Sequence, residues 1–258
     1  MKILVCVKQV PHIEGVAVKQ DNNKMATLEA FGPPRINRFD EFAVEQAVHF
    51  KETLTGVHVD VITVGPEPAA QVLKRALGMG ADSGIHLLTS TDADPGPEAV
   101  SAWIAQFAGP RGYELILCGS MSEDCMTGQV GPMTAALLNL PYATQVMEIQ
   151  PDRNLAGVSV EREIEGGARE MVFIRLPALL ALQPGINRPR YPSLSNLLRA
   201  NKQGLEIIPT QTLAQGKVNI RRSGFVLPAH ERASQLITGS AVEKAAQTAE
   251  IMKAKGLI

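Results

Sequence analysis

Residues 58–81 read "HVDVITVGPEPAAQVLKRALGMGA", a stretch in which a strand pattern passes directly into a helix pattern. Its first part is a short apolar run, typical of a strand that is covered on both faces, and Gly65 and Pro66 end it. The second part repeats apolar residues at helical spacing and closes on glycine, a usual stop at the C-terminus of a helix. The stretch therefore predicts one strand-then-helix unit of an α/β fold.

The same alternation extends to both sides of this unit. Strand patterns occupy residues 2–7, 84–88 and 113–119, and helix patterns occupy residues 40–54, 98–108 and 127–140. Strands that alternate with helices along the chain are joined by right-handed crossovers into a mainly parallel sheet. We therefore predict a parallel sheet with helices on both faces.

The pattern changes in the second half of the chain. Residues 157–182 predict an antiparallel β-hairpin that turns through Glu-Gly-Gly. A proline-rich loop follows at 186–203, "INRPRYPSLSNLLRANKQ". We predict one domain over 1–204 and a C-terminal arm over 205–258, which either wraps around a partner subunit or packs on its own domain.

Composition excludes several classes of partner. The chain has 258 residues, 45% of them hydrophobic, and a net charge of -1, so bulk charge gives no reason to expect nucleic acid or an anionic membrane. Three cysteines, Cys6, Cys118 and Cys125, without a CxxC pair argue against a disulfide framework and a zinc site. The N-terminus "MKILVCVKQV" is too short and too quickly polar for a signal peptide, and no apolar run is long enough to span a membrane. We expect a soluble, cytoplasmic protein.

A ligand site is predicted where the parallel strands end. In open parallel sheets, ligands bind at the carboxyl ends of the strands. Here those ends are Val7-Lys8, Val64-Gly65 and residues 119–132, "GSMSEDCMTGQVGP". The last stretch runs into a predicted helix that begins near Thr127 or Gly128, and the free amides of a helix N-terminus suit a phosphate group. The alternative is that Thr127 only caps the helix.

No motif for chemistry on a bound nucleotide is present. The sequence lacks the GxxxxGKS/T phosphate loop, a GxGxxG after the first strand and the GxSxG nucleophile elbow. Glu123 and Asp124 are neighbours in one loop, which does not make a general acid and base pair. The five histidines have neither metal-ligand spacing nor a nucleophile partner. We expect no catalytic residue and no metal site.

The run "VEREIEGGAREMVFIRLPALLALQPGINRPRYPSLSNLLRANK", residues 160–202, resembles the signature region of electron transfer flavoprotein beta subunits. The resemblance extends to "VCVKQV", "INRFDEFAVEQAV", "RALGMGAD" and "TGQVGPMTA", and it covers about residues 1 to 208. It implies a Rossmann-like, adenine nucleotide alpha hydrolase-like domain. Such a subunit pairs with an alpha subunit that holds most of the FAD, accepts electrons from acyl-CoA dehydrogenases and passes them to a membrane-associated quinone oxidoreductase.

The resemblance also implies a structural AMP at the strand ends. The residues that match the family's nucleotide site are Cys6, Asn37, Asp40, Val64, Thr127, Gly128, Gln129 and Val130. One departure lies within this set, because the family's frequent Asn-Pro-Phe-Cys is Asn-Arg-Phe-Asp at residues 37–40. In electron-bifurcating members a second FAD takes the place of AMP, and "QVGP" at 129–132 is similar to those members. The loop after Tyr191 is similar to the non-bifurcating ones, which favours AMP.

Residues 186–203 match the family's recognition loop, in which one leucine anchors in an apolar pocket of the dehydrogenase. That leucine corresponds to Leu194, and Arg190 and Tyr191 are expected to hold the shape of the loop. The alternative is that Leu194 joins a core through Leu197 and Leu198, which the resemblance places at the docking surface. Glu163 matches a residue that contacts the flavin domain of the alpha subunit.

Two rival classes lie outside this family. An adenine-nucleotide hydrolase would need a Ser-Gly-Gly phosphate loop directly after the first strand, where this sequence reads "VKQVPH". A stand-alone adenine-nucleotide-binding protein would not need the loop at 186–203 or the C-terminal arm.

Overall fold

A computed structural model describes residues 1–12, 16–20, 26–30, 33–90, 95–152, 154–214 and 236–258. The chain divides into two compact units. One comprises Met1–Lys19 and Leu28–Ser223, and the other comprises Gln20–Thr27 and Gly224–Ile258. The site described below lies in the larger unit.

The described residues form a nine-stranded central sheet. Its strands are β1 Lys2–Cys6, β6 His58–Gly65, β7 Ser83–Leu88, β8 Leu115–Gly119, β9 Tyr142–Pro151, β10 Gly157–Glu163, β11 Arg169–Arg175, β12 Ala178–Leu182 and β13 Glu206–Pro209. Their order across the sheet is β11-β10-β9-β12-β8-β1-β6-β7-β13. Two small sheets pair β2 Gln9–Val10 with β5 Arg35–Ile36, and β3 Val16–Gln20 with β4 Ala26–Ala30. The helices are α1 Arg38–Thr53, α2 Ala70–Met79, α3 Pro97–Ala108, α4 Val130–Leu138, α5 Leu194–Lys202 and α6 Ala241–Ala254.

The centre of the sheet is parallel, as the sequence predicts. β1 pairs in parallel with β6 on one side and with β8 on the other. Alternate residues of β1 enter two separate apolar clusters: Ile3 and Val5 pack with α1 and α2, and Leu4 packs with α3. Because a strand turns successive side chains to opposite faces, these two clusters cover the two faces of the sheet. The predicted Rossmann-like α/β fold with helices on both faces is confirmed.

The predicted hairpin is confirmed for β10 and β11, but its second arm ends at Arg175 and does not run to residue 182. Pro177 has no N–H to continue the ladder, and Ala178–Leu182 form β12, which pairs in parallel with β8 and β9. β10 and β11 are antiparallel, with Glu163 opposite Arg169. Gly166 and Gly167 in the turn have φ values of 80° and 75°, a left-handed conformation that glycine adopts without steric cost. The Glu-Gly-Gly turn thus ends the hairpin where the sequence pattern predicts it.

Helix α4 begins later than the sequence pattern predicts. It starts at Val130, not at Thr127 or Gly128, because Met126 and Gly128 have left-handed φ values of 52° and 60° that interrupt helical geometry.

The chain also continues the sheet past residue 204, since β13 pairs in parallel with β7 at the sheet edge. The domain boundary after residue 204 stays a prediction. No helix in the described ranges combines the length and the hydrophobicity that a membrane span requires.

Candidate functional site

Three neighbouring strands end at one edge of the sheet. β1, β6 and β8 are mutually parallel, so Cys6, Gly65 and Gly119 lie at their carboxyl ends on the same side. The first turn of α1 approaches this edge together with the strand-end loop, which we define as residues 120–129. This is the edge at which open α/β sheets bind ligands.

Asp40, in the first turn of α1, joins the carboxyl ends of β1 and β8. Its Oδ2 accepts a hydrogen bond from the amide of Lys8 at 2.8 Å, and its Oδ1 accepts one from the amide of Gly119 at 3.0 Å. Burial raises the pKa of Asp40 to about 7, although hydrogen bonds from Lys8, Asn37 and Gly119 act in the opposite direction. Asp40 therefore fixes the ends of β1 and β8 from beneath the site.

Asn37 fixes the start of the strand-end loop. Its Nδ2 donates to the carbonyl of Met121 at 2.9 Å, and its Oδ1 accepts from the amide of Glu123 at 3.0 Å. Its own amide donates to the carbonyl of Lys8 at 2.8 Å. A buried side chain with all these partners holds the loop in one shape.

The acidic residues of this loop are paired with cations. Lys8 Nζ lies 2.7 and 2.8 Å from the two carboxylate oxygens of Asp124, and Arg35 Nη2 lies 3.2 Å from Glu123 Oε1. Burial opposes the ionisation of Asp124, but the hydrogen bond from Lys8 leads the contacts that bring its pKa below the usual value. The charges of Glu123 and Asp124 are thereby compensated by Arg35 and Lys8, and the loop repels an anion less than two unpaired carboxylates would.

The end of the strand-end loop leads into the amino end of α4. The N-cap residue is Gln129, and no side-chain hydrogen bond caps the helix. Thr127 is therefore not the cap, and it is exposed together with Gln129. Uncapped amides at the start of a helix are donors for an anionic ligand. Gly131 permits a close approach of α4 to the sheet, because a Cβ there would lie 2.9 Å from Cys118 Sγ.

Cys6 and Val64 are partly buried and pack against the apolar cluster on the α3 and α4 face of the sheet. Burial, followed by the charge of Asp40, raises the pKa of the Cys6 thiol to about 12, so the thiol is neutral at ordinary pH. These two side chains offer an apolar surface near the strand ends. No group of three or more His, Cys, Asp or Glu suitable for a metal ion occurs among the residues that the structure describes.

Sequence patterns identify the two strand ends and the loop, but not the contacts between them. Asp40 contacts Lys8 from 32 positions away and Gly119 from 79 positions away. Asn37 contacts Glu123 across 86 positions, and Asp124 contacts Lys8 across 116. Local sequence patterns do not report such distant contacts. The only signal available for Lys8 is its place directly after the first strand.

Leu194 of the recognition loop projects into solvent. It is 74% exposed and is the first residue of α5, whose N-cap Ser193 accepts a hydrogen bond from the amide of Asn196. Leu198, one turn further along the helix, is 56% exposed. Leu197 differs from both, since it packs toward α2 near Gly78. Leu194 is therefore not part of a core.

Arg190 clamps the recognition loop to α1. Its guanidinium lies 2.9 Å from Glu45 Oε1 and also 2.9 Å from Glu52 Oε2. Upstream, Asn187 Nδ2 donates to the carbonyl of Phe42 at 3.0 Å. The 80%-exposed ring of Tyr191 lies over the guanidinium of Arg75 on α2, at 5.2 Å. The loop thus has a fixed base and an exposed apolar tip.

Glu163 ends β10 beside the turn of the hairpin and is exposed. Its side chain makes no hydrogen bond or ion pair with another residue in the part of the chain that the structure describes. Its charge is therefore open to solvent or to a partner.

The parallel sheet and its strand-end site place the chain in the Rossmann-like class of α/β proteins. The electron transfer flavoprotein domain model matches residues 27–213. The chain belongs to the electron transfer flavoprotein family, and within that family to the beta subunits.

Curated relatives support this placement along most of the chain. It is 32% identical over 273 residues to the electron transfer flavoprotein subunit beta of Thermoanaerobacterium thermosaccharolyticum, with 100% of both chains covered. It is 30% identical to the subunit beta of Bacillus subtilis, with 86% of this chain and 87% of the relative covered. The human subunit beta is 33% identical, with 81% of each chain covered.

Proposed function

We propose that this chain is the beta subunit of a heterodimeric electron transfer flavoprotein. It pairs with an alpha subunit that holds most of the FAD, accepts electrons from an acyl-CoA dehydrogenase and delivers them to a membrane-associated quinone oxidoreductase. Its part is to carry and to dock, without catalytic residues of its own. The observation that carries the proposal is Leu194, an exposed leucine on a recognition loop that Arg190 holds in place.

We infer that a structural AMP binds at the strand-end site. Its phosphate would meet the uncapped amides of α4 near Thr127, Gly128, Gln129 and Val130. The adenosine part would lie toward Cys6 and Val64, which offer partly buried apolar surface. Bound AMP supplies no chemistry there; it joins the strand-end loop to the sheet.

Asn37 and Asp40 would act on this nucleotide through the loop. Their side-chain oxygens already accept hydrogen bonds from Glu123, Lys8 and Gly119. Arg38 and Asp40 stand where the family frequently has Pro and Cys. Both carboxylate oxygens of Asp40 accept hydrogen bonds from backbone amides, so its role would be to hold the strand ends that border the nucleotide.

Docking would use the apolar tip of the recognition loop. Full burial of one leucine stabilises a complex by about 1.5–3 kcal/mol, which anchors a partner and still permits its release. Transient complexes of this kind are normal for electron transfer proteins. Glu163, exposed at the tip of the hairpin, would contact the flavin domain of the alpha subunit.

Nucleotide analysis of the purified heterodimer tests the proposal. The complex is denatured, and the released nucleotides are identified by chromatography and mass. We expect one FAD and one AMP per heterodimer. Two FAD and no AMP would replace the proposal by an electron-bifurcating flavoprotein, and a chain that purifies as a stable monomer with no affinity for an alpha subunit would favour a stand-alone nucleotide-binding protein.

A further inference from the structure

The carboxyl end of α5 is closed by a side chain from another helix. Lys74 of α2 donates to the carbonyls of Ala200 at 3.1 Å and Asn201 at 3.4 Å, and also to the carbonyl of Gln203. An ammonium group has three N–H donors, so all three are used on one helix end. The last carbonyls of a helix have no acceptor role within it and carry its negative dipole end, which a cation stabilises.

Two further contacts hold α5 in place, one against α2 and one against the turn that follows α2. Gly78 leaves room for the recognition loop, because a Cβ there would lie 3.0 Å from Leu197 Cδ2 and 3.2 Å from Pro192 Cβ. Gln203 Nε2 donates to the carbonyl of Asp82 at 2.5 Å. α2 therefore holds α5 near its beginning through Gly78 and at its end through Lys74.

We propose that Lys74 is a positioning residue for dehydrogenase docking: it fixes α5 so that Leu194 and Leu198 are presented to the partner as one rigid apolar stripe. This inference rests on the docking role proposed above. The two leucines are four positions apart and share a face only while the helix is intact. If the last turn of α5 frays in the free protein, binding must also supply the free energy that orders this turn. The affinity for the dehydrogenase then falls, although the contacts in the complex are the same.

The test uses the intact heterodimer with an acyl-CoA dehydrogenase, reduced by its acyl-CoA substrate, as the varied electron donor. For Lys74→Met we expect KM for the dehydrogenase to rise about three- to tenfold with kcat within about twofold of wild type, because only pre-organisation is lost. Lys74→Arg, which still donates to the same carbonyls, should restore KM. Hydrogen exchange of the α5 amides should be faster in Lys74→Met than in wild type.

Lys51→Met is the matched control. Lys51 also closes a helix end, with Nζ 3.0 Å from the carbonyl of Gly80 at the end of α2. It pairs in addition with the carboxylate of Asp82, and neither of these contacts is to a residue of α5. Its loss should lower thermal stability and leave KM unchanged. A purely structural role for Lys74 predicts the same behaviour for both lysine variants.

Each outcome decides one question. An unchanged KM in Lys74→Met overturns the positioning role, whether or not hydrogen exchange is faster. An unchanged KM in Leu194→Ala, or a wild-type heterodimer that takes no electrons from the dehydrogenase, overturns the proposed docking function instead. If Lys74→Met does not assemble with the alpha subunit, Lys74→Gln, which keeps two donors on a shorter side chain, is tested by the same criteria.

Discussion

The carboxylate of Asp40 accepts a hydrogen bond from the backbone amide of Gly119 at 3.0 Å, and this contact ties the first turn of α1 to the carboxyl end of β8. The other carboxylate oxygen accepts from the amide of Lys8 after β1. One buried side chain therefore holds together the two strand ends that border the candidate nucleotide site. Changes at Asp40 should affect stability and its dependence on pH.

We expect Asp40→Asn to lower the free energy of unfolding by about 1–3 kcal/mol, because the amide nitrogen cannot accept and one backbone N–H is left unpaired. The pKa of Asp40 is about 7 in the folded protein and 3.8 for the unperturbed group. Between these values the folded chain holds a proton that the unfolded chain has lost, so this group destabilises the fold as pH rises from about 4 to about 7, by at most about 4 kcal/mol.

The pH dependence of stability separates the loss of a hydrogen bond in Asp40→Asn from the loss of the titrating group. Urea unfolding of the purified chain can be followed through Trp103, the single, buried tryptophan. Since Asn does not titrate, only the wild type loses stability as Asp40 ionises. The difference in the free energy of unfolding between wild type and Asp40→Asn should therefore become smaller from pH 5 to pH 7.5. A difference that stays constant over this range would contradict the raised pKa.

Gly119→Ala should disturb the same junction by steric overlap. A Cβ there would lie 2.5 Å from Phe39 Cβ and 2.6 Å from Asp40 Oδ1, and the backbone carbon of Phe39 is also within 2.8 Å. We expect a loss of about 1–3 kcal/mol in stability and less AMP retained per chain, because the end of β8 must move away from α1. Nucleotide content and urea midpoints measure the two effects.

Gly204→Ala is the control for this substitution. A Cβ at Gly204 meets no atom within 4 Å, so its stability should stay within about 0.5 kcal/mol of wild type. If Gly119→Ala behaves like Gly204→Ala, the close approach at the strand end does not constrain the site.

The sequence predicts elements well where local patterns decide them, and less well elsewhere. The strand at 58–65 has the predicted bounds, and the helix after it differs by one to two residues at its ends. The predicted start of α4 is wrong by two or three residues. Gly128 is compatible with a left-handed conformation, but nothing in the sequence indicates that Met126 also adopts one before the helix. β13 has only four residues and exists because β7 offers an open edge, which no local pattern reports.

In the candidate site, too, local patterns predict positions along the chain but not contacts between distant residues. Position at or just after the end of a strand indicates Lys8, Val64 and the strand-end loop. The pairing of Lys8 with Asp124, 116 positions away, depends on the parallel order of β1 and β8. Such contacts become visible only once the strands are arranged in space.

Arg190→Met should destabilise the base of the recognition loop. Glu45 is 8% exposed, and the loss of its guanidinium partner leaves a buried carboxylate with only the backbone amide of residue 190 as a donor, at a cost of about 1–3 kcal/mol. Glu52→Gln removes the exposed partner of the same guanidinium, and its stability should stay within about 0.5 kcal/mol of wild type. Equal losses in the two variants would show that burial of Glu45 does not decide the strength of the clamp.

Leu194→Ala should slow electron transfer from the dehydrogenase and leave the fold intact. Leu194 is 74% exposed, so its truncation costs the free subunit little, whereas the complex loses about 1.5–3 kcal/mol of apolar burial. Binding should weaken by about 10- to 100-fold, with nucleotide content and urea midpoint unchanged. Leu137→Ala on α4, which truncates a 57%-exposed leucine outside the recognition loop, should match wild type. The measurement is the rate of electron transfer at sub-saturating concentrations of the dehydrogenase, because at saturation weaker binding does not lower the rate. Wild-type rates for Leu194→Ala under these conditions would exclude the docking role of this leucine.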